Sequence, residues 1–409
     1  MNSSYQVRNS CDTTIHAVES TLKNLSRLET QAKYPHFLLG WDGFIDLLYR
    51  MVKNRTSPTE VEFYDSMAEF GQKIVETAGS SASIERVLKK KIGGGFSINT
   101  ARAIGNMMPK ATLEVVGALG YPDIDPLFLN SLPQNVALNS VANMGVTLAM
   151  EFNDGKVMSQ DMEGILNLDY QQLVDRIGGT PNLISAFERA NAIGNGHWSL
   201  NPHMTSFWEH FITDIFPSVS DLSKKIFFVD PADIGKRTTE DIRHALFTLK
   251  KVNEFMPVML SVNDREAIEI ARVLAREGIE PIEKQNFASY EIAGQKINEV
   301  LNLSYFIIHE PHFATISGHD SHGKFHHWIT EGYTSAPRFT TAAGDHFNGG
   351  AVMSLLAGLN PTEALVVANA ATAIFVRTGR SPTLKALHQF IESYFNYIEE
   401  DRVDFCFPD

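Results

Sequence analysis

The run Thr340-Thr341-Ala342-Ala343-Gly344-Asp345-His346-Phe347-Asn348-Gly349-Gly350 sets small residues directly before a carboxylate. Ala342, Ala343 and Gly344 would expose consecutive backbone N–H groups at a helix start. Unpaired donors and the helix dipole favour a phosphate or a developing negative charge there. Asp345 stands beside this anion hole. It can accept a hydroxyl proton while the N–H groups stabilise the oxygens of a phosphoryl group in transit. The chemistry that fits is phosphorylation of an alcohol, with Asp345 as general base. Taken alone, Gly344-Asp345 equally fits an ordinary acid in a first helical turn, which is stabilising and common.

Two distant segments bear on this choice. Gly93-Gly94-Gly95-Phe96-Ser97-Ile98-Asn99-Thr100-Ala101 opens a helix with glycines that allow close backbone approach to a ligand. Asn99 follows as a two-way hydrogen bonder. Ile98 stands where Gly-x-Gly-x-x-Gly needs its last glycine, and the chain lacks Gly-x-x-x-x-Gly-Lys-Ser/Thr, so dinucleotide and P-loop readings are disfavoured. In Ser261-Val262-Asn263-Asp264-Arg265-Glu266-Ala267, Asn263 and Glu266 would face one side of an opening helical turn. They could order Mg²⁺ waters near phosphates, and a capping box suits the same residue types.

The positioning elements read as an α/β protein. Apolar runs at 113–116, 226–229, 258–262 and 305–308 alternate with helical patterns, which predicts a mostly parallel sheet covered on both faces. A strand begins at Phe37 and is expected to reach a sharp acidic end at Asp46. The period from Pro58 to Ala78 predicts an amphipathic helix. Residues 146–158 read as a hairpin with Asp154-Gly155 at its turn, suited to a small β lid. Gly358 should stop the helix after Asp345, and Asn360-Pro361-Thr362-Glu363 should start the next with a capping box.

The 409 residues are 44% hydrophobic and carry a net charge of -13, which suits a globular protein and argues against a general nucleic-acid binder. Cys11 and Cys406 show no framework or metal spacing. The first residues lack a signal-peptide core, and the most apolar stretch, 364–376, is too short for a bilayer. A cytoplasmic enzyme with no membrane or nucleic-acid partner is expected.

Together and in this order, the segments resemble the ribokinase-like, PfkB-type carbohydrate kinases. TTAAGDHFNGG resembles that family's C-terminal signature, GGGFSINTA its Gly-Gly-x-x-x-Asn-x-Ala element, and NDRE its Asn-x-x-Glu motif. The resemblance runs from about residue 37 to about 385. It implies a three-layer αβα sandwich with a small β-sheet lid, ATP as phosphoryl donor, and Mg²⁺. Asp345 would be the base and 342–344 the anion hole. Asp46, Gly94, Gly95 and Asn99 would hold the sugar hydroxyls. Asn263, Glu266 and Thr341 would serve the nucleotide, with Glu266 reaching the metal through water. Residues 1–34 would be an N-terminal extension, 35–390 the kinase domain with lid segments within 47–92 and 141–165, and 391–409 a C-terminal tail.

Some features depart from that family. Phe339 stands where many members place an aspartate, which argues against monovalent-cation activation through that residue. Ile307-Ile308-His309-Glu310-Pro311-His312-Phe313 replaces a Gly-containing turn near the nucleotide, so a donor other than ATP stays open. The additions before Gly93 would enlarge the lid or a subunit contact, which leaves a homodimer open. His309, His312, His319, His322, His326 and His327 crowd one region without zinc spacing, and 319–324 reads as a solvated turn. Asn195-Gly196-His197-Trp198 follows an apolar strand, where a buried structural His or Trp fits better than a ligand. Arg377, Thr378 and Arg380 suit either the nucleotide or a solvated helix end. A sugar or sugar-derivative kinase is the leading reading; a nucleoside kinase and a non-catalytic sugar-binding regulator are the alternatives.

Overall fold

The computed structural model describes residues 12–30, 33–282, 287–320, 323–332 and 334–408. Its strands are, in chain order, β1 (His36–Gly40), β2 (Phe44–Arg55), β3 (Val61–Phe63), β4 (Arg86–Gly94), β5 (Thr112–Ala118), β6 (Val136–Ala142), β7 (Gly145–Phe152), β8 (Gly155–Asp161), β9 (Ala192–Gly196), β10 (Ile226–Asp230), β11 (Val258–Asn263), β12 (Tyr305–Glu310), β13 (Phe313–Asp320) and β14 (Gly323–Thr330). The main sheet has the order β14-β13-β12-β11-β10-β9-β1-β5-β6. Neighbours from β12 through to β6 are parallel, and β13 and β14 run antiparallel at one edge. In a smaller sheet, β2 pairs with β3, β4 and β7, and β8 pairs with β7.

The apolar runs form the main sheet because both of its faces are buried. Phe37 and Leu39 join one core cluster and Leu38 the other; Phe228 is likewise separated from Phe227 and Val229. That is the two-residue period of a strand, read on a sheet with no solvent face. Helices Thr180–Arg189, Thr239–Asn253 and Asp264–Val273 contribute to the first layer. Helices Phe96–Met107, Ala343–Leu356, Pro361–Thr378 and Leu384–Glu392 contribute to the second. The architecture is the three-layer αβα sandwich expected, with a mostly parallel central sheet and a small second sheet. Among the described residues, no helix is long and apolar enough to cross a membrane.

Three local expectations need correction. The chain leaves the main sheet after Gly40, and Phe44 begins the twelve-residue β2 of the second sheet, so Asp46 lies early in a strand rather than at its end. Gly43 permits the crossing, since a Cβ there would stand 2.1 Å from the Ala118 carbonyl oxygen. The helix expected over 58–78 covers only Met67–Glu76, because Val61–Phe63 pairs with β2. β-Branched and aromatic residues suit that pairing, and Ser66 caps the helix by accepting from the Glu69 N–H at 3.1 Å. In the hairpin, Phe152 pairs with Gly155, which makes Asn153-Asp154 the two-residue loop.

The N-terminal helix Asp12–Asn24 packs on the body: Ala17 and Val18 enter the core. Asn24 donates to Glu363 at 2.6 Å, and the Thr14 hydroxyl accepts from the Thr330 N–H at 3.1 Å. Residues 1–11 of the expected extension, and Ser321 and His322 of the expected turn, lie outside the described residues.

Candidate active site

Strands β1, β9, β10 and β11 are parallel neighbours whose C-terminal ends share one edge of the sheet. Open α/β sheets bind ligands in the crevice outside those ends. Helix Ala343–Leu356 carries Asp345 in its first turn, behind Ala342 in a left-handed conformation with φ 73°. The Ala343 N–H is closed onto the Thr340 carbonyl at 3.2 Å, so Gly344 and Asp345 are the next donors in the turn. His346 fastens this loop, with Nδ1 2.7 Å from the Ala342 oxygen, Nε2 2.8 Å from the Ser381 hydroxyl, and its ring stacked on Phe375.

Asp345 is buried, and Asn99 donates to its Oδ2 at 2.9 Å. The orientation of Asn99 is set from behind: Arg102 donates to the Asn99 oxygen at 2.9 Å and to the Gly93 carbonyl at 3.1 Å. Asn99 therefore orients the candidate base, in addition to the sugar contact that the sequence suggested for it. Gly94 lies between Asn99 and Asp46: a Cβ on it would be 3.7 Å from Asn99 Nδ2 and 3.8 Å from Asp46 Oδ2. Gly95 begins helix Phe96–Met107 at φ 98° and ψ 160°, and a Cβ there would meet Asp42 Oδ2 at 2.7 Å. The expected sugar-side residues thus lie together beside the candidate base.

Four further side chains were not singled out from the sequence as ligands. Asp42 accepts from the N–H groups of Phe96 at 2.8 Å and Ser97 at 3.0 Å, capping a helix that begins 54 residues later. His197, at φ 55° just after β9, places Nδ1 2.6 Å from Asp42 Oδ2 and donates its N–H to the Asp230 carbonyl at 2.9 Å. Asp230 ends β10 and accepts from Asn348 at 2.8 Å, one helical turn beyond Asp345. Arg102 is the fourth. An acid closing an apolar strand before Pro231 was a visible signal for Asp230; the distant partners of Asp42 left none. Of the segment 195–198, Trp198 is structural and bonds Thr205 at 2.8 Å, while Asn195 accepts from Trp41 at 2.9 Å. His197 faces carboxylates.

The charges are coupled by burial. Burial raises Asp345 to about 8, with Asp230 and Asp42 acting in the same direction and His197 and Asn99 opposing them. Burial works against the His197 cation, yet Asp42, then Asp345 and Asp230, carry it up to about 9. Asp42 is held low: the desolvation that opposes its charge is outweighed by His197 and Ser97. Burial raises Asp46, against the pull of Thr147, Lys156 and His197. One imidazolium thus offsets a group of carboxylates.

On the other side of Gly344 lies a cavity of about 230 Å³ whose lining includes Asn263, His309, Glu310, Glu331, Thr340 and Ala343. Burial pushes Glu310 up to about 8, so it favours the neutral acid at pH 7, and burial, then Glu310, raises Glu331 well above the ordinary range. Asn263 and Glu266 form the capping box: Asn263 accepts from the Glu266 N–H at 3.0 Å, and Glu266 from the Asn263 N–H at 2.9 Å. Glu266 is buried and raised by desolvation and then by Asp230. Thr341 accepts from Lys156 of the small sheet at 2.7 Å. The Phe339 ring lies against Gly379. Arg377 is neither solvated nor among the cavity residues. It is fully buried and donates to the carbonyls of Arg402 at 2.8 Å, Gly332 at 2.9 Å and Ala373 at 3.0 Å. Among the described residues, no group of three or more His, Cys, Asp or Glu is arranged to hold a metal.

The fold is that of the ribokinase-like kinases. The chain is similar to Arabidopsis thaliana ribokinase complexed with ribose and ATP, with a TM-score of 0.58 at 14% identity over 88% of this chain and 99% of that one. A Burkholderia thailandensis nucleoside kinase gives 0.54 at 15% identity over 88% and 99%. Within that class, residues 11–394 match the prokaryotic ketohexokinase family, and the chain belongs to it. A ketohexokinase of Haloferax volcanii is 27% identical over 390 residues, covering 95% of this chain and 98% of its own. The chain is a carbohydrate kinase, a phosphotransferase with an alcohol group as acceptor.

Proposed function

We propose that this chain transfers the terminal phosphoryl group of ATP to a hydroxyl of a ketohexose, with Asp345 as general base. The observation that carries the reading is the setting of Asp345: a buried carboxylate in the first turn of a helix, oriented by Asn99, with Gly94 and Asp46 alongside. The acceptor sugar would lie against Asp46, Gly94, Gly95 and Asn99, whose carboxylate and carboxamide form directional hydrogen bonds to hydroxyls. Asp345 takes the hydroxyl proton as the oxygen attacks phosphorus, and the N–H groups of Gly344 and Asp345, left open where Ala343 is closed onto Thr340, receive the charge on the phosphoryl oxygens.

The cavity lined by Asn263 and Thr340, with Thr341 next in the chain, suits the donor. Of its two acids Glu310 favours the neutral form and Glu331 is raised in the same direction, which lowers the repulsion a polyphosphate would meet. Mg²⁺ keeps several waters and binds through one or two carboxylates plus substrate phosphates. Asp230, whose Oδ2 lies 3.5 Å from a Cβ placed on Gly344, offers such a carboxylate. Glu266 is committed to its cap and raised by burial, so it fits only a contact through water. Bound with the phosphates, the ion would neutralise charge there. The small sheet serves as a lid, since its β7–β8 hairpin reaches Thr341.

The test is turnover with ATP and Mg²⁺ over ketohexoses, aldoses, sugar acids, sugar phosphates and nucleosides, repeated with ADP as donor. Ketohexose turnover that falls by about 10³-fold or more in Asp345→Asn, with sugar binding retained, is expected. Preference for a nucleoside would replace the acceptor. Sugar-induced thermal stabilisation without phosphorylated product under any donor would establish a binding regulator instead.

A further inference from the structure

Lys156 is a basic side chain of the small sheet that reaches the opposite side of the crevice. It stands directly after the Asn153-Asp154 loop and Gly155 of the β7–β8 hairpin. Its ammonium donates at 2.7 Å to the hydroxyl of Thr341, the residue before Ala342. The same charge bears on Asp46. One cation therefore lies within range of both the sugar-side carboxylate and the loop that opens the anion hole. Two other lysines of this sheet have acidic partners: Lys53 bonds Glu62 and Glu69, and Lys91 is 3.7 Å from Asp125; Lys89 lies over the Phe63 ring. The partner of Lys156 is a neutral hydroxyl, which an anionic oxygen would outcompete.

The hairpin tip is braced for such a task. Asn153 donates its N–H to the Asp65 carbonyl at 2.8 Å and its amide to the Asp65 carboxylate at 3.1 Å. Asp154 accepts from the Met67 N–H at 2.9 Å, and Phe152 packs with Met51, Tyr64 and Phe70 in a separate core of the small sheet. Lys156 is thus carried on a supported strand end.

Resting on the proposed kinase reading, we infer that Lys156 is a catalytic residue of phosphoryl transfer, delivered by the small sheet. With donor and sugar bound, its ammonium exchanges the Thr341 hydroxyl for an oxygen of the transferring phosphoryl group. The bond from phosphorus to the leaving phosphate oxygen breaks and the bond to the sugar oxygen forms. The hydroxyl proton passes to Asp345, and Lys156 keeps its proton throughout. Its charge faces that of the phosphoryl oxygens where negative charge is concentrated.

The experiment compares full-length wild type, Lys156→Met, Lys156→Gln and Lys156→Arg in turnover with ATP, Mg²⁺ and a ketohexose. Alongside it runs calorimetric binding of MgADP, with and without aluminium fluoride, in the presence of sugar. A lid latch needs only a donor to Thr341, which Gln retains; a phosphoryl contact needs the charge. Expected are losses of about 100-fold in kcat for Met and Gln, with sugar KM within about threefold and Arg retaining most activity. The Met variant should also lose the aluminium fluoride enhancement of binding while its affinity for MgADP alone is kept. Wild type inert toward every acceptor would overturn the kinase reading and this inference with it. An active wild type with Gln or Met turning over within about threefold of it would overturn the role of Lys156 alone.

Discussion

A buried carboxylate with its pKa near 8 is mostly protonated at pH 7, so Asp345, the proposed base, would need a higher pH or an added positive charge to act. The pH dependence of kcat/KM reports the free enzyme. It should therefore rise with pH and level off above about 8. A profile flat from pH 6 to 9 would exclude Asp345 as the titrating base. His197 is the nearby cation that opposes this shift. His197→Gln should move the rising limb to higher pH, because Asp42 and Asp230 then act on Asp345 without a counter-charge; an unmoved limb would separate His197 from the base. The same histidine makes a prediction for folding. Its value is raised from about 6.5 to about 9 in the folded state, so its stabilisation is complete below the lower value and fades as pH climbs through the higher one. The difference in unfolding free energy between wild type and His197→Gln, measured in denaturant, should shrink over that range.

The start of helix Phe96–Met107 joins sequence to site at the scale of the element. Gly95 holds φ 98° and ψ 160°, a backbone region that is nearly glycine-only. A methyl group there would also be 2.7 Å from the Asp42 oxygen that caps the helix. Gly95→Ala should cost on the order of 1–3 kcal/mol in denaturant unfolding and raise sugar KM, since Asp42, His197 and Asn99 all take their places from this turn. Wild-type stability in that variant would show that the turn has another way to close. The helices at Asn263 and Asn360 show how far local signals reach. Both capping boxes form as their residue types suggest. At Asn263 the box occupies the same side chains that had suggested a phosphate network, and a local pattern cannot tell which partner a polar group meets.

At the scale of the molecule, the segment before β1 is part of the fold. Val18, Leu25 and Leu28 are buried in the core cluster of the second layer. Beginning the chain at residue 33 should lower the thermal midpoint clearly, because burial of each such side chain contributes roughly 1.5–3 kcal/mol. A midpoint unchanged by that truncation would show that the helix adds no stability. The class of fold was legible in the sequence because its strands are unbroken apolar runs, the mark of a sheet covered on both faces. Asp345, Gly94, Gly95 and Asn99 were legible because each sits in a short motif whose chemistry is local: small residues before an acid, glycines before a helix. Asp42, Arg102 and His197 carry no such mark, and Asp230 carries only that of an acid closing an apolar strand. Their meaning arises only when β1, β9 and β10 end side by side and two helices begin above them. What the sequence determined by itself was therefore the layered architecture, set by the apolar runs, and the positions of helix starts such as those at Asn263, Asn360 and Asp345, set by residues near in the chain. Only the tertiary structure decided that Asp42 caps a helix 54 residues away, that Asn99 is turned toward Asp345, and that Lys156 meets Thr341. Those are contacts between charges and dipoles that burial, and not sequence spacing, brings together.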